Sequence, residues 1–218
     1  MMNNLPILAI ETSGELCSVA AMLDEKFFIE TNVKGKHIHS EKIFDIIDYV
    51  VKNSKIELNE FNHIAVSMGP GSFTGLRIGL SAAKGLALGS NLPIVPVPTF
   101  EVMAFEISEK MIEGKKFAIL KSAGIDDFYF AIYEAEKKRY KKIEDVYLIH
   151  KNEINEKIKG IDIIFADKDI AHEIKIISGP HANYVALWSY LFGKDLLTYD
   201  YDYLEPYYLK QFIAKVKK

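Results

Sequence analysis

The stretch that decides the fold reads SMGPGSFTGLRIG and runs from Ser67 to Gly79. An apolar run over Ile64–Met68 leads into it and is typical of a buried strand. Gly69–Gly71 predicts a turn, and Gly75–Gly89 predicts a helix rich in small residues. A strand, a glycine turn and a helix N-terminus in this order can direct backbone N–H groups at an anion. The glycines can equally serve only to make a tight turn, and their spacing leaves both interpretations open.

The turn lacks the signatures of two common phosphate-binding loops. No Gly-Lys-Ser/Thr follows it, so it is not a P-loop, and its glycine spacing differs from the dinucleotide fingerprint. Near the N-terminus, Glu11–Gly14 places an acid and two hydroxyls between two strand-like runs, as a nucleotide-handling hairpin or any polar turn would. The candidate nucleotide-binding residues are therefore Glu11, Thr12, Ser13, Gly69, Gly71 and Ser72.

The helix after the turn carries glycines that each cost roughly 0.5–1 kcal/mol relative to alanine in a helix interior. On a helical wheel the small residues share one face, with Arg77, Ser81 and Lys84 opposite. A small-residue face lets another backbone approach closely. That neighbour is either the protein's own sheet or a helix of another chain, and periodicity does not separate the two. The candidate partner-interface residues are Gly75, Leu76, Gly79, Ala82, Ala83, Leu86 and Gly89.

Periodicity along the chain predicts a βββαβα order that then begins again. In the first half, strands are predicted at Leu5–Glu11, Cys17–Leu23, Phe27–Val33, Ile64–Met68 and Ile94–Val97, and helices at Ser40–Val51, Gly75–Gly89 and from Thr99 to Ile112, with Ser40 and Thr99 as N-caps. In the second half, strands are predicted at Lys116–Lys121, Asp127–Glu134, Asp145–His150, Ile161–Ala166 and Ile174–Ser178, and helices at Lys151–Lys159 and Ala182–Phe192. We therefore expect two α/β lobes, residues 1–113 and a smaller, divergent 114–218.

Composition excludes several classes of protein. The 218 residues are 49% hydrophobic and 26% charged, which is ordinary for a globular chain, and the net charge of -3 gives no strong field toward nucleic acid. The one cysteine, Cys17, cannot form a disulfide within the chain and is expected to be a buried thiol. Neither a leader in Met1–Leu8 nor an apolar run long enough to span a membrane is seen, so a cytoplasmic protein is expected.

These segments resemble the TsaB (YeaZ) family. The likeness is strongest in the glycine turn and the helix after it, Gly69–Gly79 and Gly85–Gly89. Over about residues 5–105 it also includes Ile7–Ser13, Cys17–Ala20, His39–Glu41, Leu92–Ile94 and Val97–Thr99. Beyond that it is weak, with echoes at Phe128-Tyr129 and Glu205–Leu209.

The resemblance implies an α/β fold of the actin-like, sugar-kinase-like (ASKHA) type, with two duplicated lobes of which the second is reduced. It also implies a non-catalytic subunit that pairs with the catalytic subunit TsaD and activates transfer of a threonylcarbamoyl group to the adenosine beside the tRNA anticodon. A small ATPase, TsaE, joins the pair, and tRNA is reached only through the complex. The same helix face can also close on its own copy, giving a homodimer in isolation.

Departures from the catalytic relative bear on chemistry. TsaD carries a His-Met-Glu-Gly-His segment whose two histidines bind a metal, and the corresponding segment here is Thr99–Met103. Thr99 and Met103 supply a hydroxyl and a thioether in place of imidazoles, so no metal site is expected. Glu11 stands where relatives typically carry aspartate, and Lys121–Gly124 stands where TsaB relatives usually show an Asp-Ala-Arg-like run. We expect no cofactor bound by this chain alone and leave open ATP or ADP at the interface of the complex.

Two enzymatic alternatives remain. An ATP-dependent small-molecule kinase of the same fold needs an acid to orient Mg²⁺, and Glu11 is the candidate. A peptidase needs His-Glu-x-x-His or a strained Gly-x-Ser-x-Gly elbow, and the sequence contains neither.

Overall fold

The computed structural model describes residues 5–35, 38–170 and 174–209. Within them the chain forms two five-stranded mixed sheets. The first sheet contains β1 (Ile7–Glu11), β2 (Leu16–Met22), β3 (Phe28–Lys34), β4 (His63–Gly69) and β5 (Ile94–Pro98). The second contains β6 (Lys116–Ser122), β7 (Asp127–Glu136), β8 (Arg139–His150), β9 (Ile163–Ala166) and β10 (Ile174–Ile176).

The two sheets have the same topology. The first is ordered β3-β2-β1-β4-β5, and the second, read in the same direction, is β8-β7-β6-β9-β10. In each, three strands form an antiparallel meander. The last two strands of each sheet then extend it in parallel from the first strand of that meander. This repetition confirms the predicted duplication and the actin-like, sugar-kinase-like α/β fold.

Helices cover the sheets, and two of them cover the sheet of the other half of the chain. The helices are α1 (His39–Ser54), α2 (Phe73–Ser90), α3 (Thr99–Ser108), α4 (Ile154–Lys157) and α5 (Ala182–Phe192). Helices α1 and α2 pack on one face of the first sheet, and α5 packs on its other face. Helix α3, which follows the first sheet in sequence, packs on β7 and β8 of the second sheet.

The pattern of residues in the first sheet follows from this double cover. Every residue of β1, β2 and β4 is buried, as expected for strands with helices on both faces. Along β1, Leu8 and Ile10 pack in the layer of α1 and α2, whereas Ile7 and Ala9 pack in the layer of α5. Successive side chains of β1 therefore alternate between two apolar layers, and for this reason the strand is a continuous apolar run in the sequence.

The second lobe is reduced, as predicted. Between β3 and β4 the first lobe has the 16-residue helix α1. At the equivalent place the second lobe has a 3-10 turn, Lys151–Glu153, and the four-residue α4. The prediction of one helix over Lys151–Lys159 was therefore wrong in its length, because these residues bury little beyond Ile154.

Other element ends differ from the prediction. Helix α1 begins at His39 with Ile38 as N-cap, so Ser40 lies inside the helix. Helix α3 ends at Ser108 rather than near residue 112, and Thr99 does not cap it. Strand β8 begins at Arg139 rather than Asp145, because its early residues pair with β7 across the turn at 137–138.

After α5 the chain returns over the first lobe as a segment that we call the C-terminal strap, Thr198–Tyr208. Thr198 exchanges backbone hydrogen bonds with Ile94 at the edge of the first sheet, at 2.8 and 3.0 Å. Further along, the backbone N–H of Tyr207 donates to the carbonyl of Met68 at 2.7 Å. The strap thus reaches the glycine turn between β4 and α2.

Candidate interface and interlobe cluster

The glycine turn is held from both sides. Gly69 has a φ of +103°, a conformation that favours glycine, and its N–H donates to Thr99 Oγ1 at 3.0 Å. Ser72 caps α2 by accepting from the N–H of Gly75 at 3.2 Å. The N–H of Ser72 donates to the carbonyl of Ser13 at 2.8 Å. The N–H groups of Gly69, Ser72 and Gly75 are therefore engaged within the protein.

The small-residue face of α2 packs against the protein's own first hairpin. A Cβ built on Gly75 would lie 2.0 Å from the carbonyl oxygen of Thr12, and one built on Gly79 would lie 2.2 Å from Thr12 Oγ1. The Thr12 hydroxyl donates to the carbonyl of Gly75 at 2.8 Å. Glycine is thus required at these two positions because α2 lies directly against the backbone and side chain of Thr12.

This contact corrects the predicted partner interface. Five of the seven candidates are buried: Gly75, Leu76, Gly79, Ala82 and Ala83. Of these five, Ala82 lines the groove between α1 and α2, and the other four face the inside of the first lobe. Of the other two, Leu86 is half-buried and Gly89 is exposed, and their partner role stays a prediction. The interpretation of a small-residue face packed on its own sheet is the one that the structure supports for the N-terminal half of α2.

The side of α2 that faces solvent is a different one. We call it the outer face and define it by five exposed residues, Thr74, Arg77, Ser81, Gly85 and Leu88. Leu88 is 73% exposed, and a Cβ on Gly85 would have no neighbour within 4 Å. Between the outer face and α1 lies a groove of about 490 Å³. Phe44 of α1, which is 60% exposed, contributes to its wall.

A second cluster lies between the lobes, where the carboxyl ends of β1 and β6 meet. The Lys121 ammonium on β6 donates to the carbonyl oxygen of Ser13 at 3.0 Å and to Ser13 Oγ at 3.1 Å. The backbone N–H of Ser13 in turn donates to Glu11 Oε1. Glu11, Ser13 and Lys121 are all buried. Burial raises the pKa of Glu11 and lowers that of Lys121, while attraction between the two opposes both changes.

Further contacts close this cluster. The carbonyl oxygen of Ser178 lies 2.2 Å from where a Cβ of Gly14 would be, so the two lobes touch through backbone. On the second lobe, Ser122 donates to Asp167 through its N–H at 2.9 Å and its hydroxyl at 2.8 Å. In the described structure, Glu11 Oε2 and the neighbouring Ser67 Oγ are both buried without a hydrogen bond.

The six candidate nucleotide-binding residues therefore lie close together, but most of them are buried and contact one another. Glu11, Thr12 and Ser13 are fully buried, and Gly69 is buried beneath the strap. A Cβ on Gly71 would lie 2.5 Å from the carbonyl oxygen of Ser13. Ser72 alone of the six is exposed. Nucleotide binding by these residues stays a prediction.

The segment compared with the metal-binding histidines of TsaD has a structural role here. Thr99 and Met103 are buried, and Thr99 Oγ1 holds the glycine turn. Glu101 accepts from the Tyr140 hydroxyl at 2.6 Å and pairs with Lys142 at 2.9 Å. Over residues 5–35, 38–170 and 174–209, no three His, Cys, Asp or Glu side chains are grouped as metal ligands.

Two features of the site were not predicted. Lys121 was noted only as a departure from a family pattern, although a lysine ending an apolar strand signals a buried charge with a partner. Arg77 was placed on the helix face opposite the small residues, but it was not predicted that this face is the one exposed to solvent. A pattern of small residues does not indicate which side of a helix meets its own sheet.

Comparison with known proteins decides the family. A family model described as "TsaD: tRNA N6-adenosine threonylcarbamoyltransferase" matches residues 34–184. The tRNA threonylcarbamoyladenosine biosynthesis protein TsaB of Buchnera aphidicola subsp. Acyrthosiphon pisum is 31% identical, over 85% of both chains. The chain belongs to the TsaB (YeaZ) family. The TsaB of Haemophilus influenzae is 36% identical over 63% of this chain, and the match spans 58% of that relative's length.

A solved structure agrees on the fold of this TsaB family member. YeaZ from Pseudomonas aeruginosa superposes with a TM-score of 0.76 and 20% sequence identity, covering 93% of this chain and 99% of that one. Within the described residues, no helix has the length and apolar character needed to cross a membrane.

Proposed function

We propose that this protein is the non-catalytic activating subunit of a threonylcarbamoyl transfer complex that acts on tRNA. It pairs with a TsaD-like catalytic subunit, which modifies the adenosine beside the anticodon. The observation that carries the proposal is the buried Thr99, whose hydroxyl accepts from Gly69 N–H at 3.0 Å where the catalytic relative has a metal-binding imidazole. A side chain committed to holding a turn supplies no metal ligand, so the chemistry belongs to the partner.

The remaining partners follow from the same role. A TsaE-like ATPase joins the pair, tRNA is contacted through the complex, and ATP or ADP binds at the complex interface if at all. The kinase alternative has less support, because Glu11 is fully buried and lies beside Lys121 rather than in an open cleft.

The pairing surface that we propose consists of the outer face of α2 together with the exposed side of α1. Leu88 is 73% exposed on the outer face and Phe44 is 60% exposed in the wall of the groove, and apolar side chains grouped beside a groove are typical of an interaction site. At Gly85 and Gly89 no heavy atom lies within 4 Å of a built Cβ, so a second helix can approach the α2 backbone. In the absence of TsaD the same surface can meet its own copy, which gives a symmetric homodimer.

Reconstitution tests the proposal. The TsaD-like subunit of the same organism is assayed for threonylcarbamoyladenosine in tRNA with and without this chain, in the presence of the other pathway enzymes. We expect modification only when both are present. Leu88→Glu should abolish co-purification and modification without lowering the melting temperature, because it places a charge in the buried contact.

Ile125→Glu is the matched control, since Ile125 is 90% exposed in the turn between β6 and β7 of the second lobe. It should leave both pairing and modification intact. Full modification by the TsaD-like subunit alone, or by this chain alone, would overturn the proposed role.

A further inference from the structure

The end of the C-terminal strap forms a three-residue stack with the outer face of α2. The rings of Tyr208 and Phe73 lie with centroids 5.0 Å apart at an interplanar angle of 37°. The guanidinium carbon of Arg77 lies 3.9 Å from the centroid of the Phe73 ring. Arg77 Nε donates to the Tyr208 hydroxyl at 3.0 Å. Tyr208 of the strap therefore holds the exposed Arg77, although the two residues are 131 positions apart in the sequence.

Arg77 is the charged member of the residues that line the groove between α1 and α2. The other groove residues are apolar or carry hydroxyls, among them Ile43, Phe44, Phe73, Ile78 and Ser81. In the part of the chain that the structure describes, no carboxylate lies within ion-pair distance of Arg77. Its Nε is engaged by Tyr208, while the guanidinium has further N–H donors for an incoming group.

We infer that Arg77 is the residue by which the groove selects its partner, and that it binds a carboxylate on an otherwise apolar helix of the TsaD-like subunit. The inference rests on the proposed function. A partner that fills the groove removes water from the guanidinium, and a desolvated charge is costly unless the partner brings an acceptor. A carboxylate meets this need best, because it accepts two parallel N–H bonds from an arginine fork.

Tyr208 acts in this contact as a positioning residue. Arginine loses side-chain freedom on binding, and a side chain already stacked on Phe73 and bonded to Tyr208 loses less. The strap thereby belongs to the pairing surface without itself lining the groove. An apolar helix without an acid would leave the guanidinium unpaired and would be discriminated against.

The test measures the dissociation constant of full-length variants with the purified TsaD-like subunit, together with their melting temperatures. We expect Arg77→Met to weaken binding about tenfold or more at an unchanged melting temperature. Arg77→Lys keeps the charge but not the fork, and should restore only part of the loss. Tyr208→Phe keeps the stack, loses the hydroxyl and should weaken binding about threefold to tenfold. Arg139→Met, an equal change of charge at an exposed site on the second lobe, should have no effect.

The outcomes separate this inference from the proposed function. Loss of binding in Leu88→Glu with unchanged binding in Arg77→Met would overturn the role of Arg77 and leave the subunit role standing. Absence of binding by the unmodified protein would overturn both. Binding of the protein only to its own copy, with the same dependence on Arg77, would overturn the assignment of the TsaD-like helix as occupant.

Discussion

The ammonium of Lys121 lies 3.0 Å from the carbonyl oxygen of Ser13, and this contact joins the second sheet to the first hairpin at a point with no access to water. Burying a lysine is costly and lowers its pKa, and the hydrogen bonds to Ser13 and the attraction of Glu11 offset part of that cost. The space between the carboxyl ends of the strands, where proteins of open α/β type usually bind ligands, is here occupied by the protein's own side chain.

The first prediction concerns the buried side chains of Lys121 and Glu11. Lys121→Met should destabilise the protein by about 3–5 kcal/mol, because it leaves the buried Glu11 carboxylate uncompensated. The double variant Lys121→Met/Glu11→Gln should recover much of that loss, since no unpaired charge remains. Urea denaturation measures the unfolding free energies of both variants. The control is Lys116→Met, because Lys116 is an exposed lysine at the start of the same strand. A double variant no more stable than the single one would show that the two side chains are not coupled.

The second prediction is that alanine substitutions at two glycines of α2 change the stability of the protein in opposite directions. Gly79→Ala should destabilise the protein by roughly 1–3 kcal/mol, because its Cβ would lie 2.2 Å from the Thr12 hydroxyl. Gly85→Ala should stabilise it by about 0.5–1 kcal/mol, because that position has open space and alanine favours the helix. Thermal unfolding of the two variants at one protein concentration measures the difference. Equal shifts in both variants would contradict the close contact between Thr12 and α2.

The third prediction follows from His63, which is buried and lies 3.0 Å from Ser189 Oγ. Burial lowers its pKa from 6.5 to about 4. Because the unfolded chain then binds a proton that the folded one excludes, the contribution of His63 is fully present above pH 6.5 and is lost as pH falls toward 4. The slope is at most about 1.4 kcal/mol per pH unit, or about 3 kcal/mol in all.

His63→Gln keeps a hydrogen-bonding group at this position and removes the titration. The difference between the unfolding free energies of the unmodified protein and His63→Gln should therefore change between pH 6.5 and 4 and stay constant from pH 7 to 8. A difference that does not vary with pH would exclude a neutral buried histidine.

The fourth prediction concerns Tyr140, whose hydroxyl donates to Glu101 Oε2 at 2.6 Å and accepts from Trp188 Nε1 at 3.0 Å. It thus links α3, β8 and α5. Tyr140→Phe should cost about 1–3 kcal/mol, because the indole N–H and the carboxylate both lose a partner. Tyr147→Phe removes a hydroxyl that bonds to Glu144 and Lys157, both within the second lobe, and should change stability by about 0.5 kcal/mol or less in chemical denaturation. Similar losses in both variants would argue against a link between the lobes.

Elements with strong periodicity could be predicted from the sequence, and long-range contacts could not. Helix α5 runs from Ala182 to Phe192 as predicted, because a continuous, mainly apolar run between Gly179 and Gly193 defines it locally. The end of α3 was missed because Met111 and Ile112 continue the apolar spacing although the helix stops at Ser108. The bond between Gly69 and Thr99 spans 30 positions, and no local pattern distinguishes it from a helix cap at Thr99.

The candidate site shows the same division. The glycine turn was recognised because strand, turn and helix are adjacent in sequence. The orientation of α2 was not, since it depends on Thr12, which lies 63 positions before Gly75. Both alternatives were stated for the small-residue face, and only the position of β1 beside α2 decides between them.

The crossing of α3 and α5 between the two sheets determines what happens if the chain is divided. A cut in the segment that separates β5 and α3 from β6 would leave Phe100 and Met103 of α3 without the sheet that buries them. The other fragment would keep α5, with Val185 and Trp188 facing water in place of the first sheet. Neither piece is expected to fold stably alone, so the protein is expected to unfold as one cooperative unit despite its internal symmetry.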